Sequence, residues 1–148
     1  MTLVLASRSP QRRAILEQLG VPFVERPVDV IEEEAGAPAA VAQENALRKA
    51  LAAGASEGEI VLGVDTVVAI DLEIWGKPPN ADAARETLRR LSGRTHVVVS
   101  GIALLRAGGD VKAATASTRV TFRALDDALI DWYVARGEWE GRAGGYAI

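Results

Sequence analysis

A chain of 148 residues, 49% apolar and carrying a formal net charge of −3, is sized for one domain, residues 1–148, with a sizeable core. The absence of cysteine excludes a disulfide framework, a thiolate zinc site and a cysteine nucleophile, and mild acidity gives no global case for a nucleic-acid polymer as partner. "MTLVLASRSPQRR" sets a strand-sized apolar stretch before basic residues, the reverse of a signal peptide, and no apolar run approaches membrane-spanning length. A cytoplasmic protein without a membrane partner is the expectation.

In chain order, "TLVLA" reads as a first strand. "SPQRRAILEQLG" follows as a helix with Ser9 as N-cap, Pro10 at the first helical position and Gly20 as terminator. "VPFVERPVDV" is an extended segment held open by Pro22 and Pro27, and the acidic "IEEEAGAP" is a loop. From Ala39 to about Ala53, the positions Ala46, Leu47, Ala50 and Leu51 recur at helical spacing, and Gly54 can close that helix. Ile60 to Ile70, short and rich in β-branched residues, reads as a buried strand. "DLEIWGKPPN" supplies a turn, a short strand and a proline-stiffened loop, after which Asn80 caps a helix through Leu91 that turns Ala84, Leu88 and Leu91 inward.

"THVVVSGIALLR" and "VKAATASTRVTFR" are two long strands joined by "AGGD" as a hairpin. A last helix starts near Asp126, with Leu129, Ile130, Tyr133 and Val134 as its apolar face and Gly137 as its stop. The final "GEWEGRAGGYAI" has the pattern of a strand or turn beginning. Without repeats or linkers, the whole reads as one mixed α/β domain with an antiparallel portion, a mixed sheet flanked by helices.

The chemistry concentrates in a few places. Asp65, within "GVDTVV", is a carboxylate in an otherwise apolar strand, where an unpaired charge would cost several kcal/mol. It must be hydrogen-bonded, paired with a cation or bound to a metal, the plain structural reading being a hydrogen bond to a neighbouring loop. "ASRSPQRR" places two serines and three arginines where a strand meets a helix N-terminus, which suits either a phosphate site or a solvated cap. Lys49, Lys77 in "GKPP" and the run Glu32 to Glu34 each read either as solvated surface or as partners of Asp65. One of those glutamates, together with Asp65, could complete a Mg²⁺ or Mn²⁺ site, which needs only one or two carboxylates plus substrate phosphates. His96, the only histidine, fits a structural place in a strand, and "GG" at 108 and 144 matches neither a P-loop nor a dinucleotide fingerprint.

The blocks "LASRSPQRRAIL", "ENALRKA", "VLGVDTVVAIDLEIWGKP", "LRRLSGRTHVVVSGIAL" and "WYVARGEWEGRAGGYAI" resemble, in order and from end to end, those of the Maf family of nucleoside triphosphate pyrophosphatases, also called septum-formation inhibitor proteins. The resemblance implies an α/β fold shared with the inosine triphosphate pyrophosphatases, a cleft between two lobes and, frequently, dimers. It implies divalent-metal-dependent hydrolysis of a nucleoside triphosphate to its monophosphate and pyrophosphate. By the same resemblance Asp65 is the catalytic aspartate, Glu32 and Asp65 meet the metal, and Ser7, Gln11, Arg12, Lys49, Thr66 and Lys77 bind substrate. Gln11 stands where the family usually has the first arginine of "SPRR", a position that tunes base selectivity. Thr66 matches the branch that resembles dTTP and UTP pyrophosphatases. "RAGGYAI" resembles "KAGAYGIQG", so the family's further C-terminal segment is expected to be lacking, with a non-catalytic nucleotide-binding or division-regulating role as the alternative.

Overall fold

Strand and helix alternate along the first half of the chain, and each junction is made by the residue that local chemistry favours. The computed structural model describes residues 1–147; Ile148, the last residue of the expected domain, lies outside the described residues. β1 (Thr2–Leu5) leads into α1 (Pro10–Gln18), β2 (Phe23–Glu25), α2 (Pro38–Ala53), β3 (Glu59–Ile70), β4 (Glu73–Trp75), α3 (Ala81–Leu91), β5 (Thr95–Arg106), β6 (Val111–Thr121) and α4 (Asp127–Ala135). Side-chain oxygens of Ser9, Asn80 and Asp126 accept from the backbone N–H groups of Arg12, Ala83 and Leu129, so these three helices start at the expected caps. The strands form a six-stranded sheet of order β2-β1-β3-β5-β6, with β4 paired to β3. β1 runs parallel to both β2 and β3, whereas β4 folds back antiparallel on β3. This is the mixed sheet with flanking helices that the sequence leads one to expect. Among the described residues no helix is long and apolar enough to cross a membrane.

The chain divides into two compact units. The first comprises Met1–Glu33, Ala39–Asp65 and Ser100–Ala116, and the second comprises Glu34–Pro38, Thr66–Val99 and the chain from Ser117. β3 therefore changes unit directly after Asp65.

In the first unit, Val4, Ala6, Ala46, Ala50, Val61, Ala103 and Leu105 form the core. α2 approaches the strands so closely that a Cβ added at Gly63 would lie 2.0 Å from the Ala46 carbonyl oxygen, and one at Gly101 would lie 2.4 Å from that of Ala42. Glycine beneath alanine is the only pairing that admits this spacing. The buried face of α2 accordingly runs through Val41, Ala42, Asn45, Ala46, Lys49 and Ala50, and Leu51, expected inward from its spacing, is 54% exposed. The far end of α2 is tied to β3 by Arg26, whose guanidinium donates to Glu59 Oε1 and Oε2 at 2.7 and 3.1 Å and to the Gly54 carbonyl at 2.8 Å.

In the second unit, Val68, Ile70, Ala84, Leu88, Leu91, Val98, Ile130, Val134 and Tyr146 form a separate core, and each fully buried aliphatic side chain in it contributes about 1.5–3 kcal/mol. The two-residue turn from β3 to β4 holds Asp71 and Leu72 at φ 49° and 69°, the positive region that such tight hairpins require. His96 is buried in β5, its Nε2 lying 2.6 Å from the Tyr146 hydroxyl and its ring meeting Phe122 and Tyr146 edge to face. Burial lowers its pKa. The closing segment forms a turn: Ala143–Gly145 is a short 3-10 turn, and Gly144 N–H donates to the Gly76 carbonyl.

Two outcomes test this packing. Gly63→Ala forces its methyl against backbone that no rotamer change can move, so unfolding by urea is expected to show a loss of about 3 kcal/mol; a wild-type midpoint would refute the close approach. The Arg26 hydrogen bonds, with that from Ser56 N–H, hold the Glu59 carboxyl down to about 2. Because the folded state holds this proton more weakly than the unfolded chain, the associated stability is complete above the ordinary carboxylate range and is lost as pH falls toward that value. Glu59→Gln should flatten this segment of the stability profile, read by denaturation at successive pH values.

Candidate active site

The site is assembled in the first unit around the last residue that β3 contributes to it. Asp65 is 6% exposed, and its two oxygens have different partners: Oδ1 lies 2.7 Å from Lys49 Nζ, and Oδ2 accepts from Asn45 Nδ2 at 3.1 Å. Asn45 and Lys49 are one helical turn apart on α2, so both reach the same strand position. Their place on the buried face follows from the alanines that flank them.

Lys49 Nζ also lies 2.6 Å from Glu32 Oε1, so a single ammonium bridges two carboxylates. Of the alternatives open for Asp65, the structure combines two, a cation and a hydrogen bond. The Glu32–Glu34 run is divided in the same way: Glu32 turns to Lys49, and Glu33 pairs with Arg48 Nη2 at 2.6 Å. Glu34 belongs to the second unit.

The three arginines of the first helix junction part company. Arg8 pairs with Asp29 on the surface, and Arg13 with Glu17 and Glu25. Only Arg12 turns inward, its Nη1 donating to the buried Ser7 hydroxyl at 3.0 Å. Burial lowers the Arg12 pKa, and the charges of Asp65 and Glu32 oppose that shift. Ser7 Oγ also accepts from Ser9 N–H at 3.1 Å, and Ser9 Oγ donates to Gln11 Oε1 at 2.8 Å. This hydroxyl and guanidinium set lies at a helix N-terminus, a place that favours anions.

The structure thus brings together Ser7, Arg12, Glu32, Lys49 and Asp65. Gln11 stands on the same first turn of α1. Thr66 and Lys77 belong to the second unit, Thr66 as the residue after Asp65 in β3 and Lys77 exposed in the loop between β4 and α3. Sequence reasoning missed Asn45, a polar residue 1% exposed with every side-chain polar atom engaged. Its signal was present in "ENALRKA", where it precedes Lys49 by one turn. A cavity of about 390 Å³ in the second unit, lined by Leu88, Phe122, Leu125, Ile130, Tyr133 and Tyr146 among others, includes none of the expected site residues.

Glu32 and Asp65 each place an oxygen within 2.7 Å of one point, the Lys49 nitrogen, so both can face a common cation. Among the described residues no group of three or more His, Cys, Asp or Glu side chains converges. Two carboxylate oxygens are a donor set of the type hard cations take, and in the structure the point between them is held by the Lys49 ammonium.

Solved structures share the fold. The fold is that of a nucleoside-triphosphatase described as dITP/XTP pyrophosphatase from Mycobacterium abscessus (TM-score 0.57, 19% identity, 82% of this chain and 74% of that one) and of the Staphylococcus aureus Ham1 protein (TM-score 0.57, 17% identity, 80% and 70%). The family model for Maf-like proteins matches residues 2–148. The dTTP/UTP pyrophosphatase of Symbiobacterium thermophilum is 44% identical over 149 residues, 99% of this chain and 76% of the relative. That of Anaeromyxobacter dehalogenans strain 2CP-C is 45% identical over 150 residues with the same coverage. The chain belongs to the Maf-like protein family.

The bridging role of Lys49 has a measurable consequence. Lys49→Met leaves the buried Asp65 carboxylate and the partly buried Glu32 carboxylate without their shared cation and is expected to destabilise the fold by about 3 kcal/mol. Chemical denaturation of the variant and the wild type at neutral pH reads this deficit, and a wild-type midpoint would refute the bridging role.

Proposed function

We propose that this protein hydrolyses a nucleoside triphosphate to the monophosphate and pyrophosphate, with dTTP or UTP as its preferred substrate. The observation that carries the reading is the buried Asp65 carboxylate, held by Asn45 and Lys49 and faced by Glu32 and Arg12. The activity named for the family relatives supports it, and by the family resemblance so does Thr66.

In the proposed reaction, water attacks the α-phosphorus while Asp65 accepts its proton. The bond from that phosphorus to the bridging oxygen breaks, pyrophosphate leaves, and the proton passes on to solvent. Arg12, Lys49 and the Ser7 hydroxyl stabilise charge on the phosphate oxygens. A divalent cation, Mg²⁺ or Mn²⁺, bound through Glu32 and Asp65, supplies further neutralisation of the triphosphate. Substrate-binding roles for Gln11, Thr66 and Lys77 rest on the family resemblance, and so do a homodimer and a cytoplasmic location.

The test is pyrophosphate release from dTTP, UTP and a panel of other standard and modified nucleoside triphosphates, with each metal. Asp65→Asn, which keeps the side-chain volume but cannot take a proton and can accept from only one of Asn45 and Lys49, should lower kcat by at least about 100-fold. Wild-type turnover in that variant would sink the role given to Asp65.

A further inference from the structure

Three consecutive glutamates enter the first turn of the acidic loop, and only one of them meets Lys49. Nothing in their chemistry distinguishes them, so the choice must come from how the backbone is held. Asn45 Oδ1 accepts from the Glu33 N–H at 2.7 Å, and Asn45 Nδ2 donates to the Glu33 carbonyl at 3.0 Å. A carboxamide engaging both backbone groups of one residue fixes that residue in position and in rotation. Arg48 adds a contact one turn along on the outer side, Nη1 to the Ile31 carbonyl at 3.0 Å. With Ile31 and Glu33 fastened to α2, the intervening Glu32 side chain is delivered to Lys49 and that of Glu33 to Arg48.

The same Nδ2 also donates to Asp65 Oδ2 at 3.1 Å. One buried side chain therefore holds both the loop and the strand carboxylate.

We propose that Asn45 is a positioning residue that sets the register of the acidic loop, selecting Glu32 as the carboxylate that shares Lys49 with Asp65. The kinetic part of its test rests on the hydrolysis reading; the structural part does not.

The structural measurement is amide hydrogen exchange in wild type and Asn45→Ala. Protection of the Glu33 amide should fall at least about tenfold while amides of β1 and β3 keep theirs. Unchanged Glu33 protection would overturn the proposal.

The kinetic measurement is a double-mutant cycle on kcat/KM for dTTP or UTP hydrolysis. Asn45→Ala should cost about 10–100-fold, mainly in kcat, in the wild-type background and far less in Glu32→Gln, because a residue acting through Glu32 has little left to position. Glu33→Gln, whose side chain faces away, should stay within about twofold of wild type. Equal losses from Asn45→Ala in both backgrounds, or a larger loss from Glu33→Gln than from Glu32→Gln, would overturn it. If Asn45→Ala does not fold, Asn45→Asp keeps the volume and the acceptor but lacks both donors; a wild-type kcat/KM there would equally overturn it. Should wild type hydrolyse no nucleotide, the hydrolysis reading fails, and the Glu33 amide still decides the positioning role.

Discussion

The close approach of α2 to the strands beneath it governs the rest of the first unit. A helix seated over Gly63 and Gly101 through Ala42, Ala46 and Ala50 lies nearer the sheet than one carrying leucines on that face. Interiors packed this densely have little room to adjust, so the height of the helix sets where its side chains end. At this height Asn45 and Lys49, short of full extension into solvent, finish at Asp65 instead. The buried charges are thus a consequence of a small-residue seam. Replacing the seam by larger apolar residues would bury more area and lose the site.

The chemistry shows the same economy. Asp65 and Glu32 share one ammonium, and the shared cation makes their burial tolerable. Arg12 arrives from the other side, folded back over the N-terminus of its own helix to reach Ser7. Elements from four separate stretches of the first unit meet at one point: the β1–α1 junction, the acidic loop, α2 and β3.

What could be read before folding was local. Ser9, Asn80 and Asp126 announce their helices because a cap is satisfied within four residues. Asp65 stood out because a carboxylate in an apolar strand has few explanations. The inward face of α2 was harder, since leucine spacing pointed to Leu51 and the true face is made of alanines whose selection depends on glycines in other strands. For the same reason the residues alone left Lys49 open between surface and partner of Asp65. Asn45 was harder to read as a site residue, since its one signal is its place a turn before Lys49 and two of its three contacts are to the backbone of a loop twelve residues earlier. The choice among Glu32, Glu33 and Glu34 likewise depends on partners that no spacing in the sequence encodes.

The two carboxylates and two cations of this centre, Glu32 and Asp65 against Lys49 and Arg12, cancel. A polyanion entering it meets no reserve of positive charge beyond what is already committed. On the function proposed above, its own counter-ion would come with it, and each would then bind more tightly in the presence of the other by the same factor. On that reading the centre would act as a coincidence detector, its occupancy reporting that both anion and cation have arrived.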